Sequence, residues 1–292
     1  MALGGNPIFN GKNFRGATQA PPVPQAYGHN NYGQNQFGQQ GYGQPGYGQQ
    51  SMSDDQLQQM YNRPAAGPAE TGRMTFDDVI VKTAVCLGAV VVGAAVTLSV
   101  ALGLASMLMI VGALGGFVLA LVNTFKKQPS PALILAYAAL EGLFLGGLTR
   151  VLDTMYPGVG LQAVVGTLSV FAVTLLLFKS GKVRATPKAM KFFMIAIVGY
   201  ALFSLVNMVM MMTGLTNEPF GLRSGIIGVV IGILAIGLAA FSLVMDFTNI
   251  EEGVRNGAPE RFSWTAAFGL TVTLVWLYVE IIRLLAILRG DD

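Results

Sequence analysis

The stretch Phe262–Arg289, FSWTAAFGLTVTLVWLYVEIIRLLAILR, decides the fold of this chain. It exceeds the ~20 apolar residues that a transmembrane helix needs, yet it contains Glu280 and Arg283. Helical periodicity places its small and polar residues on one face: Gly269, Thr273, Trp276, Glu280 and Arg283. Because a charged side chain that faces hydrocarbon costs roughly several kcal/mol, we expect the polar face to line a protein interior or a water-filled cavity.

The composition extends this interpretation to most of the chain. Hydrophobic residues make up 53% of the sequence and charged residues only 11%, and the mean hydropathy is +0.56. These values predict an all-α, polytopic membrane protein whose main partner is the lipid bilayer. The net charge of +3 is small and its basic residues lie in short loops, so we expect no nucleic-acid partner.

The residues that most enzyme classes use are scarce. Cys86 is the single cysteine and His29 the single histidine. Disulfides within the chain, thiolate metal clusters, histidine-based triads and HExxH sites are therefore excluded. The sequence also lacks a phosphate-binding GxxxxGK[ST] loop and a GxSxG elbow. We predict that the protein is not an enzyme and that it holds no cofactor or resident metal.

Two regions follow from the distribution of apolar residues. Residues 1–72 are rich in Gly, Gln and Tyr and are predicted to form a disordered tail, with a marginal helix near Ser53. Residues 73–292 are predicted to form a seven-helix domain. Thr75 and Asp78 are predicted to cap its first helix. The predicted spans are 82–102, 106–124, 131–152, 159–178, 192–212, 222–247 and 262–289. The first two share one apolar run, so a turn is placed within 103–106.

The basic residues predict the orientation of the spans. With the tail inside, the inner loops contain most of the lysines and arginines, including the cluster at 179–191. The outer segments contain only Arg150, Arg223 and Arg289. The positive-inside rule therefore predicts a cytoplasmic N-terminus and an external C-terminus in the cell membrane.

Three carboxyl groups within the spans are candidate proton-sensing or ion-pathway residues: Glu141, Asp246 and Glu280. Depth estimates at about 1.5 Å per residue place Glu141 and Glu280 near the middle and Asp246 near the inner end of its span. Asp246 and Glu280 then differ in depth by roughly 18 Å. Buried carboxyl groups can exchange protons near neutral pH, and two of them offer a passing cation only a loose, transient contact.

Other polar residues support these carboxyl groups. Tyr137 precedes Glu141 by one helical turn, and Asn207 lies on the fifth span in helical register with Tyr200 and Ser204. Thr273 and Arg283 share the polar face of the last span.

Simpler interpretations stay open for each acid. In these interpretations Glu280 is only a structural ion pair with Arg283, Glu141 is a hydrogen-bonded interior group, and Asp246 is an ordinary acid at a helix end.

Two segments give the chain a family resemblance. FSLVMDFTNIEE, residues 241–252, and WLYVEIIRLLAIL, residues 276–288, resemble the transmembrane Bax inhibitor motif family, in particular a bacterial branch with a long polar N-terminal tail. The resemblance extends from about Met74 to the C-terminus. It implies a pH-sensitive calcium-leak channel in which two acids of the last two helices share a proton.

The resemblance assigns the first of these acids to Asp246, within D-x-x-N-I. Glu280 occupies the second position when LYVE is aligned with the family's LYLD. Alignment on Arg283 instead places Thr273 there, and Glu141 would then pair with Glu280.

The expected function is therefore a proton-controlled leak for calcium or another cation. One alternative is a non-conducting scaffold or modulator of a membrane protease, with the tail recruiting a membrane-protein partner. A further alternative is a proton-coupled transporter of small solutes.

Overall fold

Seven long helices make up most of the part of the chain that the structure describes. The computed structural model describes residues 72–216, 218 and 220–290. Its seven helices are each long and apolar enough to cross a membrane, which confirms the predicted class. They are α1 (Phe76–Ser99), α2 (Leu102–Phe125), α3 (Pro131–Met155), α4 (Val159–Lys179), α5 (Pro187–Met212), α6 (Gly225–Arg255) and α7 (Phe262–Gly290), and a 3₁₀ turn at Gly221–Arg223 precedes α6. The predicted disordered tail and the helix near Ser53 lie outside the described residues, except for Gly72.

Two sequence-based placements are wrong. The first turn lies at Val100 and Ala101, whose backbone is extended, and the predicted turn residues Gly103 and Ser106 are inside α2. An unbroken apolar run contains no residue type that marks the turn, so its position depends on packing. The second error concerns α6, which continues to Arg255, so Asp246 lies more than two turns from the helix end.

Local capping fixes the start of α1. The Thr75 hydroxyl accepts a hydrogen bond from the Asp78 backbone N–H at 3.1 Å, as predicted. Lys82 Nζ lies 2.7 Å from Asp78 and 3.3 Å from Glu260, which begins the approach to α7. The contact with Glu260 joins α1 to the residues just before α7.

The residues before α1 form a strap across the turn between α6 and α7. In this strap, residues 72–74, the Met74 N–H donates to the Ala258 carbonyl at 2.7 Å, and the Glu260 N–H donates to the Gly72 carbonyl at 2.8 Å. Arg73 forms an antiparallel bridge with Pro259. We call this end of the bundle the strap end and the opposite end the far end.

Helix α3 packs against α1 and α2 at the distance of backbone contact. A Cβ atom added to Gly142 would lie 2.3 Å from the Val90 carbonyl oxygen, and one added to Gly112 would lie 2.5 Å from the Leu140 carbonyl oxygen. Only glycine fits at such separations, so small residues hold these three helices together.

Burial differs sharply between the last helices. Helix α7 is the most buried of the seven and contacts α1, α3, α4 and α6, whereas α5 is the least buried. Helix α5 contacts α6 and the 3₁₀ turn, and a groove of about 690 Å³ lies between α5 and α6. The central position of α7 explains why its polar face can be buried in protein.

Candidate functional site

Asp246 lies at the interface between α6 and α7. Its side chain is fully buried, and the Thr273 hydroxyl of α7 lies 2.6 Å from its Oδ2, to which it donates a hydrogen bond. The same hydroxyl lies 3.2 Å from the Gly269 carbonyl oxygen. A hydroxyl has one proton to donate, and the shorter distance favours the carboxylate. The structure thus brings together Asp246 and Thr273, two residues that the sequence singled out.

Glu280 is the centre of a second polar cluster, nearer the far end. Its carboxylate accepts hydrogen bonds from the Tyr200 hydroxyl, from Trp276 Nε1 at 3.3 Å and from Arg283 Nη1 at 3.0 and 3.1 Å. Arg223 Nη1 lies 3.7 Å from the same carboxylate. Glu280 is 3% exposed, so its charge is compensated by these donors and not by water.

Arg223 is a site residue that the sequence analysis missed. Its side chain is 5% exposed, and Nη2 donates to the Ser204 hydroxyl at 2.7 Å. Its guanidinium group lies over the rings of Tyr200, at 4.7 Å, and Phe203, at 5.5 Å. The residue precedes α6 and was interpreted as a residue of an external segment, because nothing in the sequence shows that this connection folds back between the helices.

Asn207 positions Arg223. The Asn207 side chain accepts a hydrogen bond from the Leu222 N–H at 2.6 Å and donates to the Phe220 carbonyl at 3.3 Å. Gly221 lies against it with φ +61°, and a Cβ there would be 2.5 Å from Asn207 Oδ1. The register of Tyr200, Ser204 and Asn207 along α5 could have indicated that a polar group lies opposite them.

Glu141 belongs to a different interface. It lies on α3 and faces α2, where its Oε1 would be 2.9 Å from a Cβ added to Gly116. Tyr137 lies one helical turn before Glu141 on α3, and the Tyr137 ring packs edge-on against Phe268 of α7 at 4.9 Å. Glu141 is thus held between α2 and α3.

The three predicted carboxyl groups therefore have separate surroundings. Glu280 is held by Tyr200, Trp276, Arg283 and Arg223, whereas Asp246 accepts a hydrogen bond from Thr273. Thr273, the partner of Asp246, precedes Glu280 by about 10 Å along α7. The structure does not bring Glu141 and Glu280 together, because α2 contacts the former and two arginines contact the latter. Among residues 72–216, 218 and 220–290, no three Asp, Glu, His or Cys side chains converge as a metal site would require.

Comparison with known proteins identifies the family. The family model described as Bax inhibitor 1 like matches residues 6–290, nearly the whole chain. No curated protein matches the chain. The family match and the seven membrane-spanning helices agree, and the chain belongs to the Bax inhibitor 1 like family of multi-pass membrane proteins.

Proposed function

We propose that this protein is a cation leak pathway whose opening depends on protonation of Asp246. The observation that carries the proposal is the contact between the fully buried Asp246 carboxylate on α6 and the Thr273 hydroxyl on the central helix α7. A carboxyl group buried between two membrane-spanning helices is a functional candidate, because it is costly to keep there. Calcium is the expected cation, by resemblance to the wider family.

The chemistry of the contact suggests how a proton would act. An ionised carboxylate accepts a charge-assisted hydrogen bond, which is shorter and roughly twice as strong as a neutral one. Protonation removes the charge and weakens the bond to Thr273. The contact between α6 and α7 then loosens, and cation flux is expected to rise as pH falls.

The test is a flux assay on the purified full chain in proteoliposomes. With a calcium-sensitive dye inside, wild-type protein is expected to give a leak that increases severalfold between pH 8 and pH 5, and a single titrating group limits the change to about tenfold per pH unit. Asp246→Asn keeps the shape of the side chain but cannot titrate, so its leak should be the same at every pH. Thr273→Val removes the donor and should raise the leak at pH 8.

Three outcomes would contradict the proposal. A wild-type protein that gives no flux at any pH would favour the non-conducting scaffold. Solute uptake driven by a proton gradient without calcium leak would favour the transporter. A pH response that survives in Asp246→Asn would place the proton elsewhere, with Glu141→Gln as the next variant.

We also propose that the strap end faces the cytoplasm in the cell membrane. Its connections and the adjoining helix ends contain the basic residues Lys126, Lys127, Lys179, Lys182, Arg184, Lys188, Lys191, Arg255 and Arg261. The positive-inside rule favours this side for such loops.

Cysteine labelling checks the orientation. In a Cys86→Ala background, the exposed positions Lys182, at the strap end, and Leu215, at the far end, each receive a cysteine. On intact cells, a membrane-impermeant maleimide should label only Leu215→Cys, and Lys182→Cys should react only after lysis. The reverse pattern would invert the topology.

A further inference from the structure

The cluster around Glu280 has an excess of positive charge. Two guanidinium groups, those of Arg223 and Arg283, face the single Glu280 carboxylate, and no second carboxylate pairs with either arginine in the described part of the chain. Arg223 is 5% exposed, and its Nε is buried without a hydrogen-bond partner among the described residues. An uncompensated charge at membrane depth is costly, so the cluster favours an additional anion.

An apolar groove adjoins this cluster. It has a volume of about 690 Å³, lies between α5 and α6, and includes Tyr200 and Phe203 in its lining. The Arg223 guanidinium lies over both of these rings. From there the groove continues toward the strap end as far as Ala189 on α5 and Phe241 on α6. The groove lining is apolar, and the buried Arg223 guanidinium lies against the Tyr200 and Phe203 rings at one end of it. An apolar groove beside an excess cation suits an amphiphile.

Depth and shape identify the kind of amphiphile. Ser204, which accepts from Arg223, lies about 12 Å inside the far end of α5, deeper than the phosphate layer that surrounds a hydrocarbon core of about 30 Å. A phospholipid headgroup is therefore too shallow, whereas a small carboxylate at the end of a single chain can reach this depth. The groove extends about 20 Å along α5 from Phe203 to Ala189, which exceeds the ~15 Å of one leaflet.

We propose that this cluster and groove form a binding site for a long-chain fatty acid. The carboxylate pairs with Arg223 and compensates the second positive charge of the cluster, and the acyl chain lies between α5 and α6. Arginine suits this role because its planar donors match a carboxylate. The site is separate from the contact between Asp246 and Thr273, so the proposal stands or fails independently of cation flux.

Two groove glycines make a sharp test possible. Gly199 and Gly237 line the groove, and a Cβ added to either meets no atom within 4 Å. Gly237→Leu therefore places a side chain in the groove whose Cβ meets no neighbouring atom. Gly88 on α1 is also exposed with no neighbour within 4 Å, so Gly88→Leu is a matched control away from the groove.

The experiment measures binding of radiolabelled palmitate to the full chain in nanodiscs made of uncharged lipid. We expect saturable binding of one palmitate per chain, loss of binding in Gly237→Leu, and wild-type binding in Gly88→Leu. Arg223→Gln should weaken binding about tenfold, the effect of roughly 1.4 kcal/mol. Arg289→Gln, which removes a guanidinium that contacts the Pro157 carbonyl at the far end, should leave it unchanged.

Competitors distinguish the possible occupants. Hexadecanol has the same chain without the charge and should compete at least tenfold less well than unlabelled palmitate. Competition by phosphatidylglycerol as strong as that by palmitate would instead assign the site to phospholipid. Non-saturable binding, or equal binding by wild type and Gly237→Leu, would overturn the proposal and leave only bulk lipid at this surface.

Discussion

Glu280→Gln is expected to destabilise the folded protein by about 3–5 kcal/mol, the usual cost of breaking a buried ion pair by removing one partner. Glutamine keeps the size of the side chain but leaves Arg223 and Arg283 without their carboxylate. Arg223 has almost no access to water, so its charge remains uncompensated. Thermal or denaturant unfolding of the purified protein in detergent measures the loss.

A double variant isolates the cause. Adding Arg223→Gln to Glu280→Gln removes the more buried uncompensated charge, and the pair should be more stable than Glu280→Gln alone. Glu251→Gln is the matched control, because Glu251 pairs with Arg184 at the strap end, where both side chains are more than one third exposed. That change should cost at most about 1 kcal/mol. Wild-type stability in Glu280→Gln would show that the two arginines do not depend on this carboxylate.

Gly142→Ala is expected to destabilise the contact between α1 and α3 by adding a single methyl group. The new Cβ would lie 2.3 Å from the Val90 carbonyl oxygen and 2.9 Å from Gly93 Cα, both of which are backbone atoms that cannot rotate away. Helices α1 and α3 must separate, and overpacking of this kind typically costs about 1–3 kcal/mol and sometimes more. Unfolding in detergent should shift accordingly.

Gly88→Ala makes the same chemical change as Gly142→Ala but is expected to have the opposite effect on stability. Its Cβ enters open space on α1, and alanine is favoured over glycine within a helix by roughly 0.5–1 kcal/mol. It should leave stability unchanged or raise it. Equal effects at the two positions would mean that close packing between α1 and α3 does not contribute to stability.

The sequence predicts those features of the fold that depend on neighbouring residues alone. Apolar runs interrupted by charged or proline-containing loops locate five of the seven helices, and Thr75 caps α1 as its spacing indicates. The turn at Val100 was not predictable, since neighbouring apolar residues on both sides suit a helix equally well. It forms there because α1 and α2 must both reach α3.

The sequence predicts which residues form the candidate site better than it predicts which of them contact each other. Burial of Asp246, Thr273 and Glu280 follows from polar residues on apolar helices, which must avoid lipid. The partner of each depends on helix rotation and on a connection that folds inward, and these are set by tertiary packing. Arg223 shows the limit most clearly, because its position depends on Asn207 of another helix, which holds the backbone of the preceding residues Phe220 and Leu222.

The strap gives the N-terminal region a mechanical connection to the centre of the bundle. Gly72 and Met74 hydrogen-bond to the residues on either side of Pro259, just before α7 begins. A pulling force applied upstream of residue 72 is therefore transmitted, through two backbone hydrogen bonds, to the residues just before α7, the helix that contains Thr273 and Glu280. Tethering the first seventy residues to another protein would therefore pull on the start of α1, through the covalent chain, and on the start of α7 at the same time.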